Sequence, residues 1–157
     1  MKGELRVEVM QPVAEVFDFL ADIRNEVAWN PRVVYLEKTS SGPTAAGTTF
    51  RGRYTGLGPL ETELTDYERP GRLGFRSIGP RMRLSGTFIL TATQHGTGVV
   101  LVADLQPQGI FKLLEPLMAP MLKQQNAAAA ARLKQALEHP SARPARAEPG
   151  RGDSMTT

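Results

Sequence analysis

Charged and apolar residues alternate over positions 4–9, with Leu5, Val7 and Val9 set against Glu4, Arg6 and Glu8, the period-two pattern of a strand with one wet face. Gln11-Pro12 follows, a proline suited to a first helical turn, and Val13, Val16, Phe17 and Leu20 then recur at helical spacing. Asp22 is placed to cap a second short helix, which must end before Pro31 because the residue ahead of a proline resists the helical basin. From there to position 105 the pattern predicts six strands, at 33–39, 48–54, 60–68, 73–78, 82–93 and 99–105. Their separators carry turn chemistry: Ser41-Gly42-Pro43, Gly56-Leu57-Gly58-Pro59, Pro70-Gly71, Gly79-Pro80 and His95-Gly96. Separators this short predict an antiparallel meander.

Alternation puts Phe50, Tyr54, Leu60, Leu64, Leu73, Phe75, Met82, Leu84, Phe88, Leu90, Val99, Leu101 and Leu105 on one face of that meander. Arg51, Arg53, Glu61, Glu63, Arg76, Arg83 and Asp104 fall on the other. Beyond the strands, steps of three and four run from Ile110, Leu113, Leu114, Leu117, Met118, Met121 and Leu122 to Ala129, Leu133, Ala136 and Leu137, interrupted at Gln125. This predicts one long helix lying along the apolar face of the sheet. Pro116 and Pro120 should bend its first turns or delay its regular start.

The chain has 157 residues, 41% of them hydrophobic and 22% charged, ordinary values for one soluble globular domain. With no cysteine, disulfide scaffolds, thiolate metal sites and cysteine nucleophiles are excluded; with two histidines, His95 and His139, no metal site is expected. The N-terminal residues hold no continuous apolar stretch, so neither a signal peptide nor an integral membrane association is expected, and the cytoplasm is the default location. The net charge of +3 is spread along the chain rather than gathered on one face, so no nucleic-acid partner is expected. Residues 139–157 are rich in proline, arginine and glycine and nearly free of apolar bulk, the composition of a disordered tail.

The order of elements, a strand, two short helices, about seven antiparallel strands in all and a long terminal helix, resembles the α+β helix-grip fold, in which a curved sheet wraps the C-terminal helix. The pieces that carry a family resemblance are Pro12-Val13-Ala14-Glu15-Val16-Phe17-Asp18-Phe19-Leu20-Ala21-Asp22, Trp29-Asn30-Pro31, Gly47-Thr48-Thr49-Phe50, Asp66-Tyr67-Glu68-Arg69-Pro70 and Gly96-Thr97-Gly98, with the helix ending Leu133-Lys134-Gln135-Ala136-Leu137-Glu138. In this order, over residues 1–138, the chain resembles the SRPBCC (START/Bet v 1-like) superfamily, in its polyketide cyclase/dehydrase and lipid-transport branch. The resemblance implies a cavity between sheet and helix and a small hydrophobic molecule as partner, without metal or cofactor, in a monomer or homodimer. It leaves three functions open: hydrophobic ligand binding, a polyketide cyclase/dehydratase-type enzyme, and a non-catalytic protein-interaction module.

For that cavity the candidate lining is Phe17, Trp29, Phe50, Tyr54, Leu64, Phe75, Met82, Phe88, Leu90, Leu101, Leu114, Met118 and Met121, since aromatic and methionine side chains adapt to apolar ligands of varied shape. Each also fits plain core, and Trp29 equally fits an anchor of the short helices to the sheet. The polar candidates are few. Asp66 shares the Leu60 and Leu64 face by alternation, and there it would serve as a base; a strand-end position in water is its alternative. Tyr54 and Gln125 would assist proton transfer or offer one hydrogen bond inside. No phosphate loop, dinucleotide fingerprint or nucleophile elbow is present.

Overall fold

The computed structural model describes residues 1–139, apart from the side chain of Leu122; the expected tail lies outside them beyond His139. Strand β1 (Lys2–Val9) leads into helix α1 (Val13–Ala21) and a 3-10 helix, Ile23–Ala28. Six strands follow: β2 (Val33–Lys38), β3 (Thr49–Tyr54), β4 (Gly58–Glu68), β5 (Arg72–Ile78), β6 (Met82–Ala92) and β7 (Thr97–Pro107). A second 3-10 helix, Gly109–Leu114, runs into the terminal helix α2 (Glu115–Glu138). Pro12 stands at the N-cap of α1, and the Asp22 side chain accepts from the Arg24 amide, as expected of a cap.

The strands form one antiparallel sheet in the order β1-β7-β6-β5-β4-β3-β2, which leaves β1 and β2 as its edges. This is the helix-grip arrangement, and α2 spans the gap between the two edges. On one side, Lys134 Nζ donates to the Glu8 carbonyl, and the Met10 amide donates to Glu138 Oε1. On the other, Arg32, just ahead of β2, donates from Nη2 to Gln125 Oε1 at 2.6 Å.

Burial follows the predicted alternation and fills the two ends of the grip separately. At one end α1 and the last turns of α2, through Val16, Phe17, Leu20, Leu133, Ala136 and Leu137, pack on Val9, Phe50, Leu64, Leu73, Phe88, Leu90 and Val99. At the other end a smaller cluster holds Tyr54, Leu60, Met82 and Leu105, with Val33, Leu57, Leu84 and Met118 partly buried against it.

One expectation is corrected. The apolar stripe of the terminal helix does not lie on the sheet along its whole length. Leu133, Ala136 and Leu137 are buried, whereas Ile110, Leu113, Leu117 and Met121 are 72, 78, 70 and 57% exposed. The segment 109–114 winds as a 3-10 helix with three residues per turn, so its apolar positions fall out of phase with the 3.6-residue turn of α2. Pro116 in the first turn and Pro120 within the helix remove two backbone donors where that change is made. Of the two positions open to Asp66, the structure shows the one in water, because the register of β4 shifts between Leu64 and Asp66. This irregularity turns Asp66 to the outer, exposed face, 3.9 Å from Arg72, and brings Tyr67 inward against Phe17 in an edge-to-face contact at 5.0 Å.

Candidate functional site

The structure divides the predicted lining between the two clusters. Phe17, Phe50, Leu64, Phe88 and Leu90 are buried in the larger one, with Trp29, Phe75 and Leu101 half-buried against it. Tyr54 and Met82 lie in the smaller one, and Met118 is the one described side chain of α2 that reaches it. Leu114 and Met121 are exposed, on turns of helix that stand away from the sheet. Trp29 closes the first 3-10 helix and packs on the large cluster, which is the contact an anchor makes.

A polar group sits beside the smaller cluster, and Glu26 is at its centre. The 3-10 turn brings Glu26 and Asn30 to neighbouring positions, where Asn30 Nδ2 donates to Glu26 Oε1 at 2.6 Å. Tyr54, the last residue of β3, donates from its hydroxyl to Glu26 Oε2 at 2.8 Å. The Arg32 amide in turn donates to Asn30 Oδ1 at 3.0 Å, fixing the orientation of that amide side chain. Gln125, a candidate for a free hydrogen-bonding group, is instead engaged by the Arg32 guanidinium.

Glu26 is half-buried, and the electrostatics follow from that partial enclosure. Burial raises the Glu26 carboxyl above its ordinary value, and the hydrogen bonds from Asn30 and Tyr54 only partly offset that rise. Burial also pushes the Tyr54 phenol far up, helped by the charge Glu26 would carry and by the hydrogen bond to it. Tyr54 is therefore a donor throughout the working range, while Glu26 is the group able to change its protonation.

Asp66 lies apart from this group on the outer face, so it takes no part in an inner site. Nothing in the sequence pattern marks Glu26 on its own, because a lone glutamate in a short helix reads as solvent-facing. Its spacing of four from Asn30 was the local signal, but Tyr54 joins only through the fold. Among the described residues no group of three or more histidine, aspartate or glutamate side chains is gathered that would hold a metal ion. A shallow depression of about 410 Å³ lies elsewhere, on the outer face beside Arg76, Ser85, Thr87 and Asp104.

The profile of the family described as polyketide cyclase/dehydrase and lipid transport matches residues 2–138. No curated protein matches the sequence. Among solved structures, the ZhuI aromatase/cyclase from Streptomyces sp. R1128 is similar with a TM-score of 0.72 at 17% identity, over 90% of this chain and 95% of that one. The protein TTHA0849 from Thermus thermophilus is similar with a TM-score of 0.69 at 22% identity, over 86% and 97%. The di-domain ARO/CYC BexL from the BE-7585A biosynthetic pathway gives 0.65 at 16% identity, with 88% of this chain matched to 50% of that one, so the chain spans about half its length. At these identities the likeness is one of fold. No described helix is long and apolar enough to cross a membrane.

Proposed function

The chain belongs to the polyketide cyclase/dehydrase and lipid transport family, and from that premise we propose that it binds a small hydrophobic molecule between the sheet and the first half of α2. One observation carries this reading. Among the described side chains of α2, Met118 is the one that meets the cluster of Tyr54, Leu60, Met82 and Leu105, while Leu113, Leu114, Leu117 and Met121 are exposed. Apolar surface left beside an apolar cluster is surface a ligand would take out of water, at about 25 cal/mol per Å² before the costs of association. The mouth would be formed by the β3–β4 turn, the Gly79-Pro80 turn and the second 3-10 helix, all at that end of the sheet.

The test is native mass spectrometry of protein purified gently from its own host, compared with the same sample after denaturation. A discrete adduct released on denaturation is the expected result. Failure both to copurify with and to take up any apolar compound would overturn the reading. A cyclase/dehydratase-type enzyme is the second reading, and the enclosed Glu26 carboxyl favours it, since such chemistry needs a group that exchanges protons beside the apolar space.

A further inference from the structure

Tyr54 joins the apolar cluster to the polar group. Its ring is buried in the smaller apolar cluster, the surface assigned above to the ligand, and its hydroxyl is held by Glu26. Among the four buried residues of that cluster it alone carries a hydroxyl. We infer that Glu26 and Tyr54 form a hydrogen-bond relay selecting apolar molecules that carry a ketone or ester carbonyl, with the Tyr54 hydroxyl as the donor to the carbonyl oxygen. The inference rests on the ligand-binding reading and adds the chemical class of the ligand.

The relay follows from counting donors. While Glu26 holds its proton, Oε2–H donates to Tyr54 Oη, and the phenolic hydrogen is released to point at a ligand oxygen. Once Glu26 is ionised, its oxygens only accept; the phenolic hydrogen returns to Oε2, and the ligand carbonyl loses its donor. Asn30 pins Oε1 in both states, which leaves Oε2 as the oxygen that faces Tyr54. The neighbouring elements contribute these groups: Asn30 just beyond the first 3-10 helix, Tyr54 from β3, and Arg32 ahead of β2, whose guanidinium goes to Gln125 of α2. Enclosure of the carboxyl favours the protonated state on which the relay depends.

The experiment compares 2-acetylnaphthalene with 2-isopropylnaphthalene, two probes of nearly equal shape that differ in one carbonyl, by equilibrium dialysis from pH 5 to 9. The full chain is expected to bind the ketone roughly three- to tenfold more tightly than the hydrocarbon at the acid end, the worth of one hydrogen bond. That preference should fade as the pH rises. Tyr54→Phe should bind the ketone no more tightly than the hydrocarbon at every pH, because the buried carbonyl then has no donor. Glu26→Gln should keep the preference and lose its pH dependence, because the glutamine amide still donates to Tyr54 Oη but does not titrate. Circular dichroism of each variant establishes that it is folded, and the Glu26→Gln profile tests the relay even where Tyr54→Phe is unstable. Equal binding of both probes to the unaltered chain, or a preference that survives in folded Tyr54→Phe, would overturn the relay while leaving hydrophobic binding in place. Uptake of neither probe would overturn the binding reading and the relay with it.

Discussion

Gln125 and Arg32 are joined by a 2.6 Å hydrogen bond that ties the middle of α2 to the foot of edge strand β2. The next helix residue, Asn126, lies over the opposite edge, its amide nitrogen 3.3 Å from where a side chain on Gly3 of β1 would begin. Two consecutive residues of one helix thus reach both edges of the sheet. The interruption in the apolar stripe at Gln125 therefore has a structural purpose: the helix needs a polar group where it meets the edge. Replacing Gln125 by leucine should cost about 1 kcal/mol of stability, because the half-buried Arg32 guanidinium loses an acceptor but keeps access to water. Amide exchange should rise in the first half of α2 more than in its last turns. Uniform exchange along the helix in the variant would show that the tie is not what holds that half.

The two halves of α2 should respond unequally to truncation. Leu133 is fully buried and Leu117 is 70% exposed, although both belong to the same sequence stripe. Leu133→Ala should lose about 2–5 kcal/mol through the cavity it leaves, whereas Leu117→Ala should stay within about 0.5 kcal/mol. Urea unfolding of the two variants checks this. Equal losses would mean that the first half of the helix packs on the sheet after all.

Gly96, in the β6–β7 turn, has no room for a side chain. A Cβ there would overlap the Val9 carbonyl oxygen and stand 2.9 Å from Met10 Cα, both of them backbone atoms that cannot rotate away. Gly96→Ala should destabilise the fold by about 1–3 kcal/mol, the usual range for overpacking. Its unfolding midpoint against that of the unaltered protein is the measurement, and an unchanged midpoint would sink the argument from close approach.

The strands were legible because one face of each is dry and the other wet, so residues such as Leu60 and Leu64 against Glu61 and Glu63 announce themselves at a period of two. Asp66 escaped that logic because one irregularity in register moves every later side chain to the opposite face, and nothing in Thr65-Asp66-Tyr67 marks where it occurs. The helix was legible as a helix, but its spacing of three and four could not reveal where the sheet stops supporting it. Leu117 and Met121 look like Leu133 in sequence and differ only in what lies beneath them. Glu26 was hidden for a third reason. Its environment is assembled from β3, 28 positions away, and burial of a carboxylate leaves no mark on its neighbours in the chain.

Glu26 should also make stability fall as pH rises. A carboxyl whose value is raised in the folded state binds its proton more tightly there than in the unfolded chain. Stability from this group is complete below its ordinary value of 4.5 and is lost progressively up to the raised folded value, above which the loss levels off. Asp18 and Glu138 act in the opposite direction. Asp18 is lowered chiefly by its hydrogen bond from Arg69, and Glu138 by its hydrogen bond from the Met10 amide, so their contributions are present near neutrality and disappear on acidification. The two windows lie on opposite sides of the ordinary carboxylate range, which makes them separable. Between pH 5 and 8 the urea midpoint of the unaltered chain should decline, whereas that of Glu26→Gln should decline less, and below pH 4 both should lose stability together. Identical slopes for the two proteins between pH 5 and 8 would mean that the Glu26 carboxyl is open to water in solution. The donor–acceptor exchange with Tyr54 would then have lost its physical basis.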